Sequence, residues 1–268
     1  MTATQHVAIV TGANTGIGAA IAERLAADGL AVVLCYLPLE EPEEAGLPER
    51  LRIAHRQDAS AVLERILATG GRAIALHQDL RDDAALPGLF DAAEKTFGPV
   101  DVLVNNATAS LNDTFAGGGQ DWMGRGLEQL SAATFDRQFG VDARAGALLI
   151  SEFAQRLQRR DGRWGRIISM TSGGPTGFPQ EVSYGAAKAA LVNYTMSASR
   201  ELVKFGVTAN AVHPPVTDTG WVTEDVRVAV QKDDSFISVA EPHEVAEVVA
   251  FLVSDAAGRV TGNVIRMG

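Results

Sequence analysis

Tyr184 and Lys188 stand four residues apart in Tyr184-Gly185-Ala186-Ala187-Lys188. On a helix that spacing puts the phenol and the ammonium on one face. A phenol with an ordinary pKa of about 10 is a weak acid–base catalyst near neutrality, but a fixed neighbouring cation favours its phenolate form and brings its proton within catalytic reach. Ser172, upstream, carries a hydroxyl that can hold a carbonyl or alcohol oxygen beside that phenol. The stretch Ala186 to Leu202 is rich in Ala, Leu and Ser and lacks Gly and Pro, which predicts a helix. A Tyr–Lys pair alone more often describes a partly exposed Tyr beside a solvated Lys, so its meaning depends on the rest of the chain.

The second constellation is at the start. Val7-Ala8-Ile9-Val10 is a continuous apolar run of the kind found in strands buried on both faces, and it leads into Thr11-Gly12-Ala13-Asn14-Thr15-Gly16-Ile17-Gly18. Ile17, Ile21 and Leu25 then recur at helical spacing. Between a strand and a helix, such glycines let the backbone turn tightly and approach a pyrophosphate, which sits against the free N–H groups and positive dipole of the helix. The second strand, Ala31-Val32-Val33-Leu34, ends at Cys35-Tyr36-Leu37 without the acidic residue that would bind an adenosine ribose and repel a 2′-phosphate. NADP(H) is therefore preferred and NAD(H) possible. His55 and Arg56 are the nearest basic candidates for a 2′-phosphate, and Tyr36 is expected beside them. Asp79-Leu80 follows a third strand, Ala73 to Leu76, at the edge where ligands bind in open α/β folds; Asp79 can accept from an adenine amino group or cap the next helix.

Apolar runs and amphipathic stretches alternate along the chain: helices from about Ala59 to Ala68, Leu86 to Phe97, and around Leu149, Phe153 and Leu157; strands at Val102-Leu103-Val104, Ile167-Ile168-Ser169, Thr208 to Val212 and Asn263-Val264-Ile265; a late helix striped by Val245, Val248, Val249 and Leu252. This predicts an α/β fold, a single-domain Rossmann-type doubly wound parallel sheet of about seven strands spanning 1–268. Three segments lack periodicity. An insertion over about 37–56, with Pro38, Pro42 and Pro48 and the acids Glu40, Glu41, Glu43 and Glu44, reads as an irregular acidic loop; Ala109 to Ala133 reads as a mobile loop beside a site; and 216–238 reads as a substrate lid.

Composition excludes other classes. Lys+Arg 23 against Asp+Glu 33 gives a net charge of −10 with no basic block, so nucleic acid is not an expected partner. One cysteine rules out an internal disulfide, and His6, His55, His77, His213 and His243 show no ligand spacing, so no metal is expected. No basic leader precedes the first strand and no apolar run nears 18 residues, so no membrane association is expected and the compartment predicted is cytoplasmic.

Taken together, the Gly-rich turn, Asn105-Asn106-Ala107, Ser172, Tyr184 with Lys188, and Asn210-Ala211-Val212-His213-Pro214-Pro215 followed by Thr219 resemble the short-chain dehydrogenase/reductase family over essentially the whole chain. Asp218-Thr219-Gly220-Trp221 is similar to bacterial 3-oxoacyl-carrier-protein reductase-like members. The resemblance implies that Tyr184 is the general acid for ketone or aldehyde reduction and the base for alcohol oxidation, that Lys188 binds the nicotinamide ribose and lowers the Tyr pKa, and that Ser172 polarises the substrate oxygen. It implies cofactor contacts from Gly12, Asn14, Thr15, Gly16, Ile17, Gly18, Asn106, Ala107, Pro214 and Thr219, a small-molecule carbonyl or alcohol substrate, and a homo-oligomer, dimer or tetramer, packed through the Tyr184 helix, where Ala187, Ala190 and Ala198 offer a small-residue face. The chain departs from the family at Thr108, where Gly is usual, at Pro215, which replaces a Gly, and at Asp142, where the family's Asn completes a catalytic tetrad. An anion there holds Lys188 charged more firmly and partly cancels its pull on Tyr184. Two other readings stay open: a catalytically weak cofactor-binding sensor or partner subunit, and a dehydratase or epimerase on the same fold.

Overall fold

A computed structural model describes residues 6–40, 46–173, 177–234 and 236–268. Seven strands form one parallel sheet: β1 (Val7–Thr11), β2 (Ala31–Tyr36), β3 (Arg72–His77), β4 (Val100–Asn105), β8 (Gly165–Met170), β9 (Val207–His213) and β10 (Val264–Arg266), in the spatial order β10-β9-β8-β4-β1-β2-β3. Order reverses at β1, so β1 and β4 diverge to their next connections and leave a crevice at their carboxyl ends. The central strands β1, β4 and β8 are buried along their whole length, which explains their unbroken apolar runs.

Helices cover both faces. α1 (Gly16–Ala27), α3 (Ser60–Ala68) and α9 (Pro242–Val253) pack Ile21, Leu25, Ile66, Val245 and Val249 into one core. On the other face α4 (Leu86–Thr96), α6 (Gly146–Arg159) and α7 (Val182–Glu201) contribute Leu89, Phe90, Leu149, Phe153 and Ala198. Ala187 and Ala198, expected to face a partner, are instead buried in the chain's own packing, because α7 turns that stripe toward the sheet; Leu148 and Tyr194 are the exposed large apolar residues of α6 and α7.

Two expectations are corrected. The insertion is irregular only in part: outside residues 41–45, which lie beyond the described ones, it ends in helix α2 (Glu49–Arg56), which follows Pro48 and buries Leu51. The stretch 109–133 is not irregular throughout. It carries a small sheet of β5 (Asp113–Thr114), β6 (Gly119–Gln120) and β7 (Gly126–Gln129), followed by α5 (Ala132–Phe139), which opens on a Ser131 cap. Two buried carboxylates hold it: Asp121 accepts from the backbone of Met123 and Arg125 and pairs with the Arg125 side chain at 2.6 Å, and Asp113 accepts from Ser183 at the start of α7. The segment expected as a lid contains α8 (Glu224–Gln231) and a core of its own, Val222, Val226 and Val230, packed by Trp221 and Met123. Among the described residues no helix is long and apolar enough to cross a membrane, and no group of three or more His, Cys, Asp or Glu is placed to hold a metal.

Candidate active site

The crevice at the carboxyl ends of the strands opens into a cleft of about 1480 Å³. One end of it is built by the Gly-rich turn. Gly12 has φ +65°, and a Cβ there would come within 3.0 Å of the Ala107 backbone; a Cβ on Gly18 would lie 2.1 Å from the Gly12 carbonyl oxygen. Only glycine fits this fold of β1 over α1. The loop after β4 is buttoned onto the same turn: Thr11 Oγ1 accepts from the amides of Asn106 and Ala107 at 2.9 and 3.0 Å, and Asn106 Nδ2 donates to the Thr11 carbonyl at 2.9 Å. α1 starts without a side-chain cap at Thr15 and without an acid in its first turn. Its first N–H groups and positive dipole end are thus free to meet an anionic ligand, and the donor set fits a pyrophosphate.

Asn14, Thr15, Gly16, Ile17, Tyr36, His55, Asp79, Leu80, Asn106, Ala107, Pro214 and Thr219 all line the cleft. Arg56 does not. Leu51 and His55 are one helical turn apart and share the cleft side of α2, whereas Arg56 is rotated about 100° further and stands exposed. Asp79 caps no helix, since the next helical turn starts at Asp83 after Asp82; its Oδ1 accepts from the Arg81 backbone at 2.9 Å in a local turn, while its carboxylate pairs with the Arg81 guanidinium at 2.6 Å, whose hydrogen bonds hold it below the usual carboxylate range. Glu40, of the acidic insertion, also lines the cleft.

At the other end stand Ser172, Tyr184 and Lys188. Ser172 follows β8, and Tyr184 and Lys188 project from α7 one turn apart, with Nζ 5.6 Å from the phenol ring centroid. α7 is fixed at its N-terminus by Asp113, which accepts from the Ser183 amide at 2.8 Å and from its hydroxyl. Gly185 lets the chain at Phe178 press on the helix, since a Cβ would lie 2.4 Å from that of Phe178, and the Phe178 ring stands 5.6 Å from Tyr184.

Asp142 does not line the cleft but stands behind it. It sits in a π-helical turn (Gly140–Ala145) between α5 and α6, with its side chain fully buried and Oδ1 2.9 Å from Lys188 Nζ, itself 3% exposed. Asp142 Oδ2 accepts from the Ala109 amide at 3.0 Å and from Gln138 Nε2 at 2.7 Å, and Gln138 Oε1 accepts from the Leu111 amide at 2.9 Å. The departure from Asn thus introduces a buried ion pair that also pins the loop after β4. Burial raises the Tyr184 pKa; Lys188 and a hydrogen bond with Ser172 work against the rise, and Asp142 and Glu181 add to it. Burial pulls Lys188 down, but the facing Asp142 carboxylate outweighs it and the ammonium is held above its ordinary value.

Sequence reasoning missed several residues here. Arg125 lines the cleft between Asp121 and Glu181, donating to Glu181 at 2.7 Å. Arg50, on α2, reaches the lid, and Asp113 and Gln138 act through backbone amides. Only the i, i+4 spacing of Asp121 with Arg125 and of Gln138 with Asp142 could have been read from the chain.

Comparison with known proteins agrees with this geometry. A family model described as Enoyl-(Acyl carrier protein) reductase matches residues 12–267. "Uncharacterized oxidoreductase YjdA" of Bacillus subtilis (strain 168) is 31% identical over 264 residues, 97% of this chain and 94% of the relative. A 3-oxoacyl-[acyl-carrier-protein] reductase of Synechocystis sp. is 33% identical, covering 97% and 94%. Among solved structures, the angucycline C-6 ketoreductase LanV with bound NADP superposes with a TM-score of 0.78 at 29% identity, covering 97% of this chain and 93% of that one. With its seven-stranded parallel sheet, its Gly-rich turn and its serine, tyrosine and lysine on one cleft, the chain belongs to the short-chain dehydrogenase/reductase family of oxidoreductases.

Proposed function

We propose that this protein is an NADP(H)-dependent oxidoreductase that reduces a ketone or aldehyde to an alcohol, or runs the reverse, with Tyr184 as general acid and base. The observation that carries the reading is the convergence of Ser172, Tyr184 and Lys188 on the cleft that also holds the uncapped N-terminus of α1. When bound, the nicotinamide group supplies or accepts the hydride. The chain supplies the rest. Gly12 to Gly18 receive the pyrophosphate, Asp79 and Leu80 the adenine, Asn106 and Ala107 the floor beneath the nucleotide, and Pro214 and Thr219 the nicotinamide. Lys188 holds the ribose hydroxyls. The Ser172 hydroxyl donates to the substrate oxygen and orients it toward Tyr184, whose phenol gives that oxygen a proton in reduction and takes it back in oxidation.

The cofactor preference rests on the end of β2, where Cys35, Tyr36 and Leu37 offer no carboxylate and where Tyr36 and His55 line the cleft. Glu40 on the same wall favours the second reading, NAD(H). The buried Asp142–Lys188 pair is the observation behind a third, a cofactor-binding protein with little turnover. The assembly we propose is a homo-oligomer using the exposed Leu148 and Tyr194 of α6 and α7, working in the cytoplasm on a small molecule. The test is a titration with NADPH and NADH followed by turnover of a ketone and aldehyde panel by the wild type and Tyr184→Phe, on protein whose mass by light scattering is a multiple of 28.3 kDa. Selective NADPH binding by both proteins and turnover by the wild type alone is the expected result. Equal turnover by Tyr184→Phe would sink the catalytic reading, and NADH preference would overturn the cofactor.

A further inference from the structure

Arg50 reaches from the insertion to the lid. Its Nε donates to the Gly220 carbonyl at 2.8 Å, and its Nη2 donates to Asp218 Oδ1 at 2.6 Å and to the Val222 carbonyl. Three acceptors at alternate positions, 218, 220 and 222, are thus gathered on one guanidinium. Between the first two lies Thr219. The Thr219 side chain packs on the Gly-rich turn so closely that a Cβ on Gly16 would come within 3.0 Å of its Cβ and Cγ2. Gly220, at φ +108°, lies against the α2 backbone, where an added Cβ would meet Leu51 at 3.3 Å. The other half of the contact is as well made: the Asp218 carboxylate, 7% exposed, also takes the Arg227 guanidinium of α8 and accepts from the Gly220 amide at 3.0 Å. At its leading end the same insertion touches the small sheet, where a Cβ on Gly46 would lie 2.1 Å from the Gly124 carbonyl oxygen. Residues 46–56 therefore run from the hairpin wall to the lid wall.

We propose that Arg50 is a positioning residue that latches the loop carrying Thr219 onto the Gly16 turn, so that the insertion sets how long a nicotinamide nucleotide stays in the cleft. The inference rests on the nucleotide-binding reading above. An arginine suits the task because its planar fork presents several donors in fixed directions, so one side chain holds a carboxylate and two carbonyls at once; a lysine ammonium is a single point on a flexible stem. Opening the lid breaks all three bonds together. Arg50 is itself half exposed, so its removal does not open the core.

The experiment is stopped-flow displacement of bound NADPH from the wild type, Arg50→Ala, Arg50→Lys and Arg227→Ala, with steady-state constants measured alongside. Release should be at least tenfold faster from Arg50→Ala, with KM for the nucleotide raised severalfold and kcat changed less than threefold. Arg50→Lys should recover only part of the loss, and Arg227→Ala, which leaves the Gly220 and Val222 bonds in place, should release less than threefold faster than the wild type. Release from Arg50→Ala within twofold of the wild type, or full rescue by Lys, would overturn the latch. If the wild type binds neither NADPH nor NADH, the nucleotide reading has failed on its own account; the latch is then judged by amide hydrogen exchange over 218–223, where faster exchange in Arg50→Ala supports it and unchanged exchange refutes it.

Discussion

Replacing Asp142 by Asn removes one charge from behind the site and changes little in volume. The Lys188 ammonium stands 5.6 Å from the centroid of the Tyr184 ring, and opposite unit charges at that separation attract by about 3 kcal/mol at an effective dielectric of about 20. Laid end to end, the 5.6 Å and 2.9 Å separations put the Asp142 carboxylate within about 8.5 Å of the ring. There it repels the phenolate by about 2 kcal/mol on the same scale. Asp142 thus cancels most of what Lys188 does for Tyr184. Its removal should increase the ionised fraction of Tyr184 at a given pH below the plateau. The sign follows: burial and Asp142 both raise the Tyr184 pKa, so deleting Asp142 lowers it. The acid limb of the pH–rate profile for alcohol oxidation then moves to lower pH, and the alkaline limb for carbonyl reduction moves the same way. A second effect accompanies the first. Asp142 Oδ1 faces the Lys188 ammonium as an ion pair while Oδ2 accepts from Ala109 and Gln138, and an amide can satisfy only one of those sides. Leaving a buried ammonium without its partner costs about 3–5 kcal/mol, so the urea midpoint should fall. The assay is initial-rate oxidation of a secondary alcohol from pH 6 to 10, at 15 °C with saturating NADP⁺ to keep the variant folded. An acid limb that stays in place or moves to higher pH would refute the reasoning, as would a folded Asp142→Asn protein that binds nucleotide and turns nothing over.

Two further outcomes are expected. Gly18→Ala forces a methyl to within 2.1 Å of the Gly12 carbonyl oxygen, so the turn must shift; stability should drop by about 1–3 kcal/mol in urea, and nucleotide affinity by about a hundredfold or more, with affinity within threefold of wild type counting against the turn's role. Burial pushes the Cys35 thiol from 9.0 up to about 12, so it should be nearly inert to a disulfide reagent at pH 8 until the chain unfolds, with about a thousandfold less thiolate than an ordinary thiol. A folded pKa above the unfolded one stabilises the protein fully below about pH 9, and that share is lost as pH rises toward 12; Cys35→Ala should flatten this alkaline loss in urea titrations, and a curve parallel to the wild type would remove Cys35 as its source.

Much of the sheet could be read from the chain because parallel strands buried on both faces have to be apolar throughout, as Val102-Leu103-Val104 and Ile167-Ile168 are. The Gly-rich turn and the Tyr184–Lys188 pair were legible for a related reason: their chemistry is written at short range, within a turn or two of backbone. What stayed hidden depends on partners far along the chain. Asp113 looks like any loop acid until Ser183, 70 residues on, comes to meet it, and Arg50 looks like surface charge until Asp218 and Val222 arrive across 168 and 172 residues. The two-residue strands of the small sheet carry no alternation to detect. α2 was obscured by the prolines and acids before it and by having one buried residue, Leu51, which defines no stripe. Arg56 was misplaced because proximity in sequence to His55 says nothing about which way a helix faces.

The carboxylate of Asp113 has a use beyond holding a helix end. Together with the Asp121–Arg125–Glu181 chain it fixes the small sheet to the N-terminal turn of α7 at two points, and the hairpin between them, Phe115 to Gln120, is exposed along most of its length. That makes the segment an exchangeable cassette. A graft that keeps Asp113, Asp121 and Arg125 can change the length and chemistry of that exposed hairpin while the N-terminal turn of α7 keeps both of its anchors.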